Sequence, residues 1–366
     1  MKRLVMIVLC LGAVLTSSLS LDTEEIMVEQ REELQLDEVE REARENLNGV
    51  DMRMDCDWEE NLSKLADAGA EELPDILKTA ARSCALMLVI AAFAALGEES
   101  VGSVAGGKNA AVDFAVALAV SGVAVSDVNS LLNIGTASIA SISSFSGVLL
   151  PAVAALTAAT GAITGAGVRQ MAAVLFSSLL IKLIHGVLIP LICGYIALNI
   201  AHAAAGNPGL KRLAALFKWI IVTMLTVMLM VYVGYLTLSG VVSASTDAAA
   251  VKAAKFAISS AVPVVGGILA DASESVLAAS GILRSSVGVF GMISVLGICL
   301  VPFLRLGIYY LAYKAAAALS AMLGNSAAAN LIESLSGAFG MILAMVGACA
   351  LMLLISLVSS VMVVTA

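Results

Sequence analysis

SGAFGMILAMVGACALMLLISLVSSVMVV, residues 336–364, carries no charged side chain from end to end. A run of this length exceeds the roughly 20 residues that take an α-helix across a bilayer. Hydrocarbon offers no partner for backbone N–H and C=O groups, so such a segment satisfies them internally, as a helix. Apolar runs of the same kind stand upstream at 79–97, 110–126, 134–166, 170–200, 213–242, 256–283 and 285–323. None shows the ten-residue alternation of a membrane β-barrel. The chain is therefore predicted to be all-α, a polytopic membrane helical bundle.

Composition agrees. Of 366 residues 60% are hydrophobic and 13% charged, and the mean hydropathy is +1.00. Soluble domains carry about 25% charged residues. Aromatics are only 5%, while Ala, Gly and Ser abound, as in bundles whose helices approach through small residues. These numbers argue against a soluble enzyme. The six cysteines form no CxxC pair and read as small buried hydrophobes.

The net charge of −8 hides a division along the chain. Residues 21–75 hold 20 Asp and Glu against 5 Lys and Arg, so the acidity belongs to that segment and not to the apolar remainder. Before it, Lys2 and Arg3, the apolar run Leu4–Leu15 and Ser17, Ser18 and Ser20 form the three regions of a signal peptide over 1–20. Cleavage there would leave the acidic segment 21–75 outside the cytoplasm. Within it, Leu36, Val39, Ala43 and Leu47 fall on one helical stripe, and Trp58, Leu62, Leu65 and Leu73 on another. Two short amphipathic helices are predicted, lying on the membrane domain or docking a partner.

Residues 76–133 are predicted to hold two transmembrane helices. After them, the order of landmarks repeats between 134–242 and 243–366. Ile142, Ser143, Ser144 and Pro151 recur as Ile258, Ser259, Ser260 and Pro263. Small residues then lead to Arg169 or Arg284. A long apolar helix interrupted by Pro190 or Pro302 follows, then Gly206-Asn207 or Gly324-Asn325, then a last long helix. Each unit is thus a broken or re-entrant helix plus two long helices, the internal duplication from which many transporters are built. Re-entrant segments make the repeats parallel, with six full spans and with Lys211, Arg212 and Lys218 on the cytoplasmic side. Single crossings would invert them.

Asp271 and Glu274 stand three apart, just beyond Pro263, Gly266 and Gly267, inside an otherwise apolar stretch. Carboxylates at that depth are costly and mark a pathway or an ion pair, for which Arg284 is the nearest partner. With Pro151 and Arg169 these residues make up the candidate intramembrane polar site. Arg169, Lys182, His185, Arg305 and Lys314 interrupt other apolar helices and are expected to face the bundle or to snorkel. His185 and His202 lack ligand-spaced neighbours, and no phosphate loop, dinucleotide fingerprint or HExxH motif occurs. The expectation is no catalytic residue, no cofactor, no metal and no nucleic-acid partner.

The phrase Lys255-Phe256-Ala257-Ile258-Ser259-Ser260-Ala261-Val262-Pro263-Val264-Val265-Gly266-Gly267, with Asp271 and then Ser280, Gly281, Arg284, Val287 and Gly288, resembles the stage III sporulation protein AE family of endospore-forming bacteria. The resemblance implies a mother-cell membrane protein of the assembly joining mother cell and engulfed forespore, needed for late forespore gene expression. Implied partners are other stage III A-group proteins, among them a separate ATPase and ring-forming proteins, stage II sporulation protein Q across the intermembrane space, and membrane lipids. The family carries no catalytic residues to transfer. A permease-like or channel subunit is the leading expectation; a non-conducting scaffold and an independent secondary transporter are the alternatives.

Overall fold

The computed structural model describes residues 36–47, 50, 52–54, 58–105, 110–160, 163–261, 266–324 and 326–362. Side chains at 98–110, 163–166, 169, 239–279 and 361–362 fall outside that description, as does the expected signal peptide. All regular structure among the described residues is helical. We number the α-helices α1 (Leu36–Asn46), α2 (Trp58–Ala105), α3 (Ala110–Ala159), α4 (Ile163–Leu183), α5 (Ile189–Ala205), α6 (Pro208–Ala261), α7 (Gly266–Met322) and α8 (Ser326–Met362). A five-residue π-turn, Ile184–Leu188, joins α4 to α5.

Among the described residues six helical stretches are long and apolar enough to span: Trp58–Gly97, Ala111–Ala159, Gln170–Ala205, Pro208–Leu238, Ser280–Met322 and Ser326–Ser360. This is a multi-pass membrane protein. α8 lies at the centre, packed on α7 and α3 and also touching α5 and α6, while α2 and α3 lean on α7. The charge-free run that opens the sequence supplies much of this core, with Ile342, Met345, Val346, Leu353 and Leu357 all buried.

Several expectations about breaks are corrected. Runs 110–126 and 134–166 read as separate spans in the sequence, but α3 passes through both without interruption. The boundary at 133/134 therefore falls inside a helix, and that at 242/243 falls inside α6. Pro151 does not break α3. A proline removes one N–H and crowds the carbonyl four residues back, yet buried neighbours on both sides, Leu149, Leu150 and Val153, hold the helix on course. The second amphipathic stripe is no separate helix either, since it forms the front of α2 and runs through Pro74 into the first span.

The two later prolines differ in effect. Upstream of Pro190 the helix widens: Ile189 N–H bonds back to the Ile184 carbonyl, five residues away, which takes up the strain of a ring that tolerates no normal α-turn behind it. Pro302 stays inside α7. The carbonyl it leaves unbonded belongs to Ile298, and both residues border an open cavity of about 740 Å³ that also holds Glu72 and Arg305, which pair at 3.4 Å.

α1 behaves as its stripe predicts. Leu36, Val39, Ala43 and Leu47 are all buried, the helix packs on α3, and Glu42 accepts a hydrogen bond from Ser144. α1 is thus docked on the bundle by its apolar face. The front of α2 is less covered, with Leu65 buried but Trp58 and Leu62 exposed.

Both Gly-Asn landmarks prove to be tight reversals. Gly206 has φ 65° and Gly324 φ 92°, the left-handed region that terminates helices at glycine. At the first, Gly206 N–H bonds to the His202 carbonyl at 2.8 Å, and Asn207 Oδ1 accepts from Gly209 N–H at 2.8 Å, capping α6. Gly324→Ala is expected to cost about 1–2 kcal/mol through the left-handed backbone alone, read as a lower unfolding midpoint of the detergent-solubilised protein. An unchanged midpoint would contradict it.

Candidate functional site

The two glycine reversals, 118 residues apart in the numbering, border one cavity. It measures about 670 Å³ and is lined by the end of α5, the beginnings of α6 and α8, the end of α7 and Asp113 from the first turn of α3. The loops after α5 and α7 and the start of α3 therefore lie at the same end of the bundle. From Ser326 at the mouth to Gly337 at the floor, eleven residues along α8, the cavity reaches about 16 Å inward.

Its lining is polar for a space between membrane helices. Lys211 and Lys218 project from α6, Lys314 from α7 and Glu333 from α8. Lys314 Nζ meets Glu333 Oε1 at 3.2 Å, both side chains more than half exposed, so the pair contributes little stability. Among the described residues Lys211 and Lys218 have no ion-pair partner. His202 Nδ1 faces the Asn207 carbonyl at 2.8 Å, and because a carbonyl only accepts, Nδ1 is the protonated nitrogen. Asn199, buried, donates to the Tyr195 carbonyl at 2.7 Å. Asn330 and Ser334 likewise bond back to their own helix. Among the described residues no group of three or more His, Cys, Asp or Glu is placed to hold a metal.

An aromatic cluster adjoins the floor. Tyr310 lines the cavity, while Tyr313 and Phe339, both fully buried, stack edge to face at 4.8 Å. Tyr313 Oη donates to Asp127 Oδ2 at 2.5 Å. Asp127, which falls between the two apolar runs of the sequence, is a carboxylate in the first half of α3, held by a phenol from α7.

Among the described residues, Pro151 and Arg284, singled out from sequence, do not line this cavity. Pro151 is exposed in α3. Arg284 is buried, and its Nη1 donates to Thr160 Oγ1 at 3.5 Å, where α3 ends. Gly266 and Gly267 open α7, and Asp271 and Glu274 follow on the same unbroken helix. On that helix Glu274 and Asp271 precede Arg284 by 10 and 13 residues. Pro263 and the side chains of Asp271, Glu274 and Arg169 lie outside the described residues.

The cavity's residues were missed because their assembly is long-range, although one local sign existed. Polar side chains cluster in the first turns after each Gly-Asn pair, Lys211 and Lys218 after one, Asn330 and Glu333 after the other.

Residues 47–365, which include every residue of this cavity, match the family described as Stage III sporulation protein AE. The chain belongs to that family. A relative, the Stage III sporulation protein AE of Bacillus subtilis (strain 168), is 27% identical over 226 residues, which cover 62% of this chain and 57% of the relative. The match thus spans little more than half of that relative's length. No solved structure matches the chain. With its six membrane-length helices, this member of the stage III sporulation protein AE family is a sporulation membrane protein.

Proposed function

We propose that this chain is a permease-like or channel subunit of the membrane assembly that joins the mother cell to the forespore, in the mother-cell membrane. In that assembly it works beside other stage III A-group proteins, including a separate ATPase and ring-forming proteins, with stage II sporulation protein Q facing it across the intermembrane space. The observation that supports a conducting role is the polar cavity itself. A path for small solutes needs water-accessible polar surface between membrane helices, and such surface is otherwise too costly to keep there. The end bearing Lys211, Arg212 and Lys218 is cytoplasmic by the positive-inside rule, which leaves the acidic α1 outside. Both glycine reversals lie at that end, in keeping with parallel repeats over 134–242 and 243–366. Asp271, Glu274, Arg169 and Arg284, with Pro263, are candidates for the far side of the path.

One observation favours the scaffold reading: the buried Tyr313–Phe339 cluster closes the bundle next to the cavity floor. Filling the cavity separates the two. Ala203 and Ala327 both line it and are half-buried, so Ala203→Phe with Ala327→Phe obstructs the space from positions that are not fully buried. The expected result is normal abundance in the membrane, loss of late forespore gene expression and few heat-resistant spores. Normal abundance with normal sporulation would overturn the conducting role.

A further inference from the structure

We infer that the cavity is a binding site for a phosphate-type anion, held chiefly by Lys211 and Lys218. The inference deepens the conducting reading of this cavity and rests on it for what the site is used for, but binding itself is a property of the purified chain.

Charge provides the first argument. The lining carries three ammonium groups and two carboxylates. One carboxylate, Glu333, is already engaged by Lys314. Lys211 and Lys218 have no such partner among the described residues, and each is a compact charge of the kind that binds phosphate. Gly337 shows how deep one of them reaches: a Cβ there would lie 3.8 Å from Lys218 Nζ and 3.0 Å from Tyr195 Oη. An ammonium and a phenol thus lie close together at the floor, and both can donate to an anion.

The second argument is the site's construction. About 670 Å³ falls within the roughly 300–1,000 Å³ of small-molecule pockets. Ser326 and Ala327 open α8 at its mouth, and the first N–H groups of a helix lack intrahelical acceptors. The third is position. Basic pockets between membrane helices on the cytoplasmic side take phosphate groups of lipid heads. Trp219 and Leu216, 63% and 48% exposed, flank Lys218 on the outer surface of α6, where acyl chains would lie if the phosphate belonged to a lipid. A free phosphate-bearing solute offers the cavity the same chemistry.

The full chain, purified in nanodiscs of phosphatidylcholine, is titrated with inorganic phosphate against chloride at equal ionic strength. A second arm uses nanodiscs containing phosphatidylglycerol and counts retained lipids by native mass spectrometry. Binding in the first arm identifies a soluble anion, and binding only in the second identifies a lipid headgroup; either supports the site. Lys211→Gln and Lys218→Gln should each weaken binding about tenfold, a loss of ~1.4 kcal/mol. Lys211→Arg and Lys218→Arg should retain it, and Lys182→Gln, outside the cavity, should have no effect. The inference is overturned if neither probe binds above the chloride control, or if the double glutamine variant, eluting as intact protein, binds like the wild type. Absent binding together with lost sporulation in the Ala203→Phe, Ala327→Phe protein would remove the anion site and leave the conducting role standing. Intact binding together with normal sporulation in that protein would do the reverse.

Discussion

Gly297→Leu is expected to release α1 from the bundle and to lower stability by about 3 kcal/mol, the upper range for overpacking a core. A Cβ at Gly297 would sit 2.4 Å from Leu47 Cδ2 and 2.7 Å from Leu65 Cδ2, closer than real atoms come. Both leucines are 4% exposed, so neither has free space to retreat into. An alanine methyl asks only the tips of these side chains to shift; a leucine brings three further carbons. The weakest member then yields, which is α1, a helix of 11 residues too short to persist alone. Its hold on the bundle rests on the buried Leu36, Val39 and, just past its end, Leu47, each contributing up to about 1.5–3 kcal/mol by burial. Hydrogen exchange across 36–46 should rise sharply in Gly297→Leu and modestly in Gly297→Ala. Gly307 provides the control, because nothing lies within 4 Å of a Cβ there, so Gly307→Leu should leave α1 protected. Unchanged protection of α1 in Gly297→Leu would contradict this account.

The second large effect is expected at Asp127 and Tyr313. The phenol is fully buried and donates to the carboxylate at 2.5 Å. A hydrogen bond to a charged group contributes about 1.5–3 kcal/mol, and a buried partner left alone costs its full desolvation. Asp127→Ala orphans the phenol and Tyr313→Phe removes the only donor this contact has, so each should cost about 2–3 kcal/mol by that measure. Asp127→Asn keeps an acceptor oxygen and should cost less. Asp127→Ala combined with Tyr313→Phe should be milder than the sum of the two, since neither polar group is then stranded. Thermal unfolding of the four proteins in one detergent reads the coupling directly. Strict additivity would show that the contact between α3 and α7 carries no coupling energy.

Neither outcome could have been foreseen from local sequence, and the reason is the same in both. Leu47, Leu65 and Gly297 belong to three segments of the chain, and Asp127 and Tyr313 are 186 residues apart. Composition and periodicity report what each segment needs, not which segment answers the need. The polar group Ser126, Asp127, Asn129 and Asn133 lowers local hydropathy, so it reads as a loop between spans. The helix continues there, because its backbone bonds are internal and because the carboxylate finds a donor on α7. Pro151 misleads for a similar reason: proline marks a place where a helix is weakened, and the packing of its neighbours decides whether it bends.

What the sequence by itself determined is what a segment settles alone. Charge-free runs longer than a bilayer is thick must be helices, and the one at 336–364 lies inside α8, the bundle's centre. The stripe Leu36, Val39, Ala43 and Leu47 had one face to bury and buried it. Gly206 and Gly324 took the left-handed conformation that ends a helix. Only the tertiary structure decided that both reversals lie at one end, that Lys211, Lys218, Lys314 and Glu333 share a cavity there, and that Arg284 reaches Thr160 at the end of α3. Backbone hydrogen bonding and hydropathy act within a few turns of helix. Charges and cavities depend on which helices pack side by side, a choice made by side chains that lie far apart along the chain.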